Sequence, residues 1–493
     1  MQLNLATGAY NDIDVDINNQ KCVNFYSAPA GPFGRGAPNE NNIPSVLRLT
    51  AGVKSILNLG VRGIRSQIYV RNYLYVTTND TIYKLSIDTV NLTASIVSSH
   101  TIADLTTYVD VAYNDSQIMW VDGTNGYIYN DQTATYSQIV DADFPSHPTS
   151  VVCTGGYFFV NSDGTGLVYA SDINNGLSWN ALNKATAETK SDNVIKLAVS
   201  REELWMIGPE SAEIWYNAGN PTGFPFSLRV GLALNTGNLA PFSTLNVNDN
   251  LVWLDSRAYI SETGPSALVR ATNSGYQLNI IATEAITHAI KSYGTISDAI
   301  GCVYNDRGHI MLQWSFPTEK VTWVYNSTTQ LWHQQAYYNE FLEEQEHSIF
   351  QFVSEINNVK IASGLRDGNI YVLSENYYDD NGVLIRRNKI LPYLYQPTDL
   401  KYVTLQQLFI KVGIIDIPIV GDYTSAMLGI KYSKDNGHNW SATLWRELST
   451  GEYGSFFSWN LGITSRSLLI EVSMSSPVAL TLVNAWANTE VET

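Results

Sequence analysis

The sequence predicts an all-β chain: a six- or seven-bladed β-propeller with insertions, followed by a C-terminal β-sandwich-like domain. Three observations carry that expectation. Apolar residues alternate with a period of two in short runs bounded by Asn, Asp, Gly and Pro. The runs recur at spacings of roughly 40 to 58 residues, the range of four-stranded blades set around an axis. Charged residues make up only 15% of the chain, while 30 Tyr and 12 Trp supply side chains suited to half-buried sheet faces. Two stacked β-sandwiches are the competing arrangement. At 493 residues the chain exceeds one compact core, so several domains are expected.

Residues 1–57 lack the repeat and read as an N-terminal arm and entry loop, with a Pro/Gly-rich stretch from Ala28 to Pro44. A loop of that length suggests an arm reaching a neighbour. The propeller is expected over 58–375. Its strands begin at Gln67–Val76, then Val109–Tyr113 with Gln117–Val121, Val151–Val152 with Tyr157–Val160, Ile195–Leu197 with Glu203–Met206, and Asn250–Leu254. A sixth copy is the clearest of all. Across Val303 to His333, Ile310, Leu312, Trp314 and Phe316 share one face, Pro317–Lys320 turns the chain, and Val321, Trp323 and Tyr325 continue it. Val359–Ala362 with Asn369–Leu373 makes a possible seventh.

One helical insertion is expected near 283–294, capped by Thr283, with Ala285, Ile286, Ala289, Ile290 and Tyr293 on one face, His288 toward solvent and Gly294 closing it. After the turn Tyr377–Gly382, residues 376–493 predict strands near 405–412, 426–432, 456–459, 468–472 and 479–487, and hence a separate sandwich.

Several function classes find no support. A net charge of −17 opposes tight binding to phosphate, although it allows DNA to slide past a repelling wall. Cys22, Cys153 and Cys302 are scattered and odd in number, which fits a reducing compartment. The first twenty residues lack the pattern of a signal peptide, and no apolar run approaches membrane-spanning length. Nucleotide, zinc-protease and hydrolase motifs are missing, and the histidines at 100, 147, 288, 309, 333, 347 and 438 do not fall at zinc spacing. His309 and His333 could face each other across their blade as structural groups. The acidic run Glu340–His347 reads as a solvated face rather than a metal site. No cofactor or metal is expected.

The sharpest local motif is Ser433-Lys434-Asp435-Asn436-Gly437-His438-Asn439-Trp440. It follows the Asp-box S-x-D-x-G-x-T-W except for Asn439. A looser version runs from Ser171 through Asp172 and Gly176 to Trp179. The expected geometry is a tight hairpin in which Asp accepts backbone N–H bonds, Gly takes positive φ and Trp covers the turn. Sialidases carry such boxes on propellers. The motif is a folding device away from the chemistry, however, and the arginine cluster a sialidase needs has no counterpart here.

With these residues in place, the chain resembles the DNA-stabilisation, or tail-nozzle, proteins of short-tailed bacteriophages. Gln20-Lys21-Cys22-Val23-Asn24-Phe25-Tyr26 is similar to the family's Q-x-C-V-N-x-Y opening. Leu49–Val53 followed by Val61-Arg62-Gly63 is similar to its entry to the first blade, with Ala51 where the family usually has Pro. Thr283–Tyr293 resembles its helical insertion, and Val321–Asn326 with Leu331-Trp332-His333 resembles a later blade. The resemblance covers roughly 20–375 and only loosely the last hundred residues.

It implies a structural, non-enzymatic component of the virion tail, assembled in the host bacterial cytoplasm. The expected partners are five further copies in a homohexameric ring, the portal-proximal adaptor above it, tail fibres or spikes around it, and genomic double-stranded DNA passing transiently through, with no membrane insertion. Such a ring would extend the tail channel, retain packaged DNA and conduct it during ejection. The alternatives are a propeller sialidase or glycosidase and a saccharide-binding tail adhesin whose aromatic rings stack on sugars.

Overall fold

The computed structural model describes residues 2–11, 19–29, 45–60, 63–103, 108–190, 192–256, 268–271, 276–339, 341, 344–394, 401–414, 425–449 and 456–491. Most of the loop from Ala28 to Pro44, the Val61-Arg62 pair and Glu340, Leu342 and Glu343 of the acidic run lie outside them. The chain divides into two compact units: 55–303 with 350–372, and 1–54 with 304–349 and 373–493.

The first unit is the propeller. Blade 1 takes Ser66–Val70, Tyr73–Thr77, Thr81–Asp88 and Thr93–Thr101; blade 2 takes Asp110–Tyr113, Gln117–Val121, Gly126–Asn130 and Thr135–Gln138. Blade 3 takes Val151–Thr154, Tyr157–Asn161, Leu167–Asp172 and Asn175–Thr186; blade 4 takes Lys196–Ser200, Glu203–Ile207, Ala212–Asn217 and Phe226–Leu228. Blade 5 takes Leu245–Val247, Asn250–Leu254, Leu268–Ala271 and Leu278–Ile280. The sixth combines Phe352–Ile356, Val359–Ser363 and Asn369–Ser374 with Gly52–Asn58 from far earlier in the chain. Its seam is polar: Ser55 Oγ and Asn58 Nδ2 both donate to Asn369 Oδ1, at 3.0 and 2.9 Å. The run expected as a seventh copy, Val359–Ala362 with Asn369–Leu373, supplies two strands of this last sheet.

Each blade's second strand is a continuous apolar run because both of its faces are covered. In Gln117–Val121, Ile118 and Trp120 pack toward blade 1, while Met119 and Val121 pack toward blade 3. Phe158 and Val160 turn to blade 2 while Phe159 turns to blade 4. Leu204 and Met206 face blade 3, and Trp205 and Ile207 face blade 5. Full burial of one such side chain contributes about 1.5–3 kcal/mol, and successive residues contribute it to opposite interfaces. First and second strands are joined by two consecutive residues of positive φ in five blades: Arg71–Asn72, Gly155–Gly156, Arg201–Glu202, Asn248–Asp249 and Asn357–Asn358. Paired left-handed residues match the twist of a tight hairpin.

The second unit is stitched from three segments and holds two large sheets. One runs Phe456–Ser465, Val403–Ile414, Leu480–Val491, Ser45–Leu49, Phe25–Pro29, with Gln2–Leu3 also on Leu480–Val491. The other runs Ile300–Asp306, His309–Phe316, Val321–Asn326, Leu331–Gln334, Cys22–Val23, Arg387–Ile390, Leu469–Met474, Ser425–Ser433, Leu444–Ser449. In Val403–Ile414 the register shifts between Leu405 and Gln407, which keeps Leu405, Leu408, Ile410 and Val412 all buried despite the odd spacing.

One expectation is corrected here, that of the domain boundaries. The meander Val303–His333 is four-stranded and apolar as expected, and the start of its first strand lies against blade 5, where a Cβ at Gly301 would meet Leu245 Cδ2 at 2.8 Å. Its last strand continues into a larger sheet, because Gln334 pairs in parallel with Val23, and Val23 pairs on its other side with Asn388. Residues 376–493 likewise do not stand apart. Their strands share both sheets with residues 2–3, 22–23, 25–29 and 45–49, so the boundaries 1–57, 58–375 and 376–493 do not match the compact units. Backbone pairing across hundreds of residues leaves no periodic mark in the sequence.

The helix α1 spans Glu284–Lys291; Thr283 Oγ1 caps it by accepting from Ile286 N at 3.3 Å. Ala285, Ile286 and Ile290 are buried and His288 is exposed. The helix ends before Gly294, where Ser292 Oγ donates to Ala289 O at 2.6 Å.

Candidate functional site

The innermost strands of the blades meet around the propeller axis, and their side chains determine whether anything can pass. Asp110, at the start of blade 2, accepts through Oδ2 from Lys196 Nζ of blade 4 at 2.6 Å, Ser150 Oγ at 2.8 Å and Val151 N of blade 3 at 3.1 Å. Ser150 Oγ in turn accepts from Leu197 N at 3.1 Å, so one largely buried ion pair ties three blades together. Lys196 also lies over the ring of Phe242, 5.2 Å from its centroid. Phe242 precedes the inner strand of blade 5 and packs at 4.9 Å on Tyr108, which precedes that of blade 2. Blades 3 and 4 separate those two, so this contact reaches across the ring. The Tyr108 hydroxyl donates to Asp298 O at 3.0 Å, and burial raises its pKa above the ordinary tyrosine range.

Blade 1 is joined to blade 6 by Gln67, whose Nε2 donates to Ser354 Oγ and Ile361 O at 2.9 and 3.0 Å, and whose Oε1 accepts from Ser363 Oγ at 2.6 Å. Gln67 thus ties the last blade to the first, and among the described residues Tyr108, Phe242 and Lys196 stand across the bore. A nucleic-acid duplex cannot pass where they stand.

The Asp-box at Ser433–Trp440 is a tight turn. Asp435 Oδ1 accepts from Ser433 Oγ at 2.7 Å and Asn439 N at 2.8 Å, and Oδ2 accepts from Asn439 Nδ2 at 2.6 Å. These bonds, Ser433's first, lower the Asp435 carboxyl to about 2. Gly437 has φ +95° and Trp440 stands against it with Lys431 Nζ 4.8 Å over its ring.

The looser copy differs. The left-handed residue there is Asn174, not Gly176. Gly176 is needed for space, since a Cβ would lie 2.7 Å from Met119 Cε and Ile128 Cδ1. Asp172 accepts the Ser178 hydroxyl at 2.6 Å, while Trp179 Nε1 donates to Gly176 O at 2.9 Å. The two turns lie in different units.

His309 and His333 do not face each other directly. Tyr26 packs between them, 5.6 Å from one ring and 6.0 Å from the other, delivered by the N-terminal strand. Burial lowers both imidazoles, His333 to about 3. His347 is buried against Ser348 O at 2.9 Å, and Glu346 pairs with Lys320 at 2.7 Å. Among the described residues no group of three or more His, Cys, Asp and Glu is placed to hold a metal, and no helix is long and apolar enough to cross a membrane. The stitched unit holds a cavity of about 460 Å³, lined among others by Arg48, Arg307, Glu375, Tyr378 and Leu480, with no histidine or cysteine in its wall.

What sequence reasoning missed was the axial set. Asp110 and Lys196 are 86 positions apart, and their one sequence signal is a charge at the same place in two repeats, just where an inner strand begins.

The fold defines the class: a β-propeller. The chain belongs to the bacteriophage P22 Gp10 β-propeller family, whose model matches residues 1–378, and so it is a phage structural protein of the DNA-stabilisation kind, associated with the virion. No individually curated protein matches it by sequence. Among solved structures it is similar to the extracellular domain of the putative one-component system BT4673 from B. thetaiotaomicron, at 9% identity and TM-score 0.42, over 84% of this chain and 48% of that one. It thus spans about half of that protein's length. It is also similar to YCF48 bound to D1 peptide (11% identity, TM-score 0.39, 66% of this chain and 95% of that one) and to the Neurospora crassa Pan2 WD40 domain (10% identity, TM-score 0.41, again 66% and 95%).

Proposed function

We propose that copies of this chain form a homohexameric ring, the nozzle of a short phage tail, docked below the portal and its adaptor. The ring extends the tail channel, retains packaged DNA and conducts it during ejection, and it performs no enzymatic turnover. Family membership supports a structural virion role. The observation that carries the finer reading is the filled axis: Tyr108 meets Phe242 across the bore, so a channel for DNA has to be enclosed between copies. A chain of net charge −17 suits the wall of such a conduit, because repulsion keeps the phosphates hydrated and the strand mobile. Tail fibres or spikes are its lateral neighbours, and the ring is completed in the host cytoplasm.

Antibody labelling of purified virions, with copy number from a quantified gel, tests this. Label at the tail tip with six copies is expected. Label on peripheral fibres, or a chain missing from virions, overturns it.

A further inference from the structure

The cleft in the stitched unit carries a charge pattern unlike the rest of the chain. Lysines and arginines number 29 against 46 acidic residues overall. Yet two arginines, Arg48 and Arg307, line this one space of about 460 Å³, against a single carboxylate among the described residues, Glu375. The volume lies in the range of sites that bury a small ligand or the end of a larger one.

Both arginines are held in place by the fold. Arg48 belongs to the strand Ser45–Leu49, where it is paired with Tyr26 on one side and Thr481 on the other. Arg307 sits at the tip of the hairpin joining Ile300–Asp306 to His309–Phe316. It takes φ +49° and Gly308 takes φ +83°, while Asn305 Oδ1 accepts from Gly308 N at 2.8 Å. Two consecutive left-handed residues make that turn tight. From it, Arg307 Nη2 donates to the backbone oxygen of Glu375 at 3.2 Å, which anchors the guanidinium at the wall without neutralising it.

The two guanidiniums act on the same place. Burial and then Asp306 raise the Tyr26 pKa, and Arg307 and Arg48 both oppose that rise; both also add to the burial that lowers His309.

The remaining wall is largely apolar, with Leu49, Ala479, Leu480 and Val483 lining it. A bare phosphate would lose hydration against such a wall and gain nothing from it. A carboxylate carried on an apolar body uses both parts: its planar oxygens accept paired N–H bonds from a guanidinium, and the body covers the leucines and the valine. The free end of a polypeptide has this chemistry, and capture of a terminal carboxylate is an established way of recognising one. Among the neighbours of a structural protein of the virion, polypeptides supply it.

We infer that this cleft binds the C-terminal residue of a neighbouring polypeptide, an apolar side chain whose free carboxylate lies between Arg48 and Arg307. The inference draws on the stitched unit alone and stands whether or not the ring reading does.

Ligand-observed NMR on the full chain tests it, with N-acetyl-leucine as the probe for a polypeptide end. N-acetyl-leucine should bind, and N-acetyl-leucinamide, which lacks the charge, should bind at least tenfold more weakly. Arg307→Met should weaken the acid at least tenfold while the melting temperature holds, because Arg307 is exposed on its turn. Arg48→Met should weaken it to a similar degree. Equal binding of acid and amide, or unchanged binding in Arg307→Met, would overturn the site. Displacement of the acid by an equal concentration of inorganic phosphate would overturn the carboxylate assignment. Octanoate binding where N-acetyl-leucine does not would overturn the polypeptide end as its source.

Discussion

In the propeller unit nearly every strand pairs with one that follows within a few residues, whereas in the stitched unit Val23 lies between Gln334 and Asn388 and Gln2 lies beside Trp486. The first arrangement needs only hairpins and one late seam, at blade 6. The second holds three distant segments together through buried polar groups. Asn24, at φ +55°, donates through Nδ2 to Ala336 O and Arg386 O, both at 2.8 Å, and accepts from Ala336 N at 2.9 Å. Lys389, fully buried, donates to Thr7 O and Gly8 O at 2.8 and 3.1 Å. Where the propeller relies on apolar interfaces between like blades, the stitched unit relies on a few polar clasps, and its failures should be more abrupt.

The largest expected effect tests that contrast directly. Asn24→Ala should cost about 3–5 kcal/mol, because it strips partners from three buried backbone groups and places Ala at a left-handed position. Hydrogen exchange should show protection falling in Leu331–Gln334 and Arg387–Ile390 while Gln117–Val121 keeps its own; equal loss in both units would break the comparison.

Acid provides the next test. The unfolded chain protonates His333 near 6.5, but the folded one holds it neutral down to about 3, and burial depresses His309 in the same direction. This stability is therefore complete above about pH 6.5 and is lost as pH falls toward 3, by on the order of 4 kcal/mol for His333. Denaturant titrations from pH 7 to 4 should show the stitched unit weakening, and His333→Gln should flatten the slope.

Lys196→Met leaves Asp110 charged and largely buried on the propeller axis and should cost about 2–4 kcal/mol, most of it regained when Asp110→Asn is added. If the double variant is no better than the single, the ion pair is not what ties blades 2, 3 and 4. The smallest effect belongs to the exposed turn at Asp435. Its carboxyl, lowered to about 2, favours the turn above the ordinary aspartate range, and that preference disappears as pH falls through 2. The Asn439 amide resonance should report the change without any shift in the global melting temperature.

These contrasts also explain what could be read from the residues alone. The blades were legible because each writes its own period: Ile118 to Val121 is apolar throughout since one strand serves two interfaces, and the turns advertise themselves as Gly155–Gly156 or Asn357–Asn358. The Asp-box was legible for the same local reason. Val303–His333 was legible as a meander for the same reason, while its continuation into a larger sheet rests on the single parallel pair Gln334–Val23 and leaves no local mark. Asp110 and Lys196 could not be matched, since many lysines and aspartates compete for such a pairing and only closure of the ring brings these two together.

The stitched unit has a consequence for how the chain is made. Phe25–Pro29 and Ser45–Leu49 are synthesised about 430 residues ahead of the strand they join, Leu480–Val491. At about 5–20 residues per second, that interval is on the order of half a minute to a minute and a half. The propeller can complete most of its blades meanwhile, but those early strands wait with apolar faces uncovered and are candidates for a chaperone's grip. A nascent chain released before that strand would carry a nearly finished propeller and an unfinished sheet, so quality control at this protein's ribosome depends on Leu480–Val491.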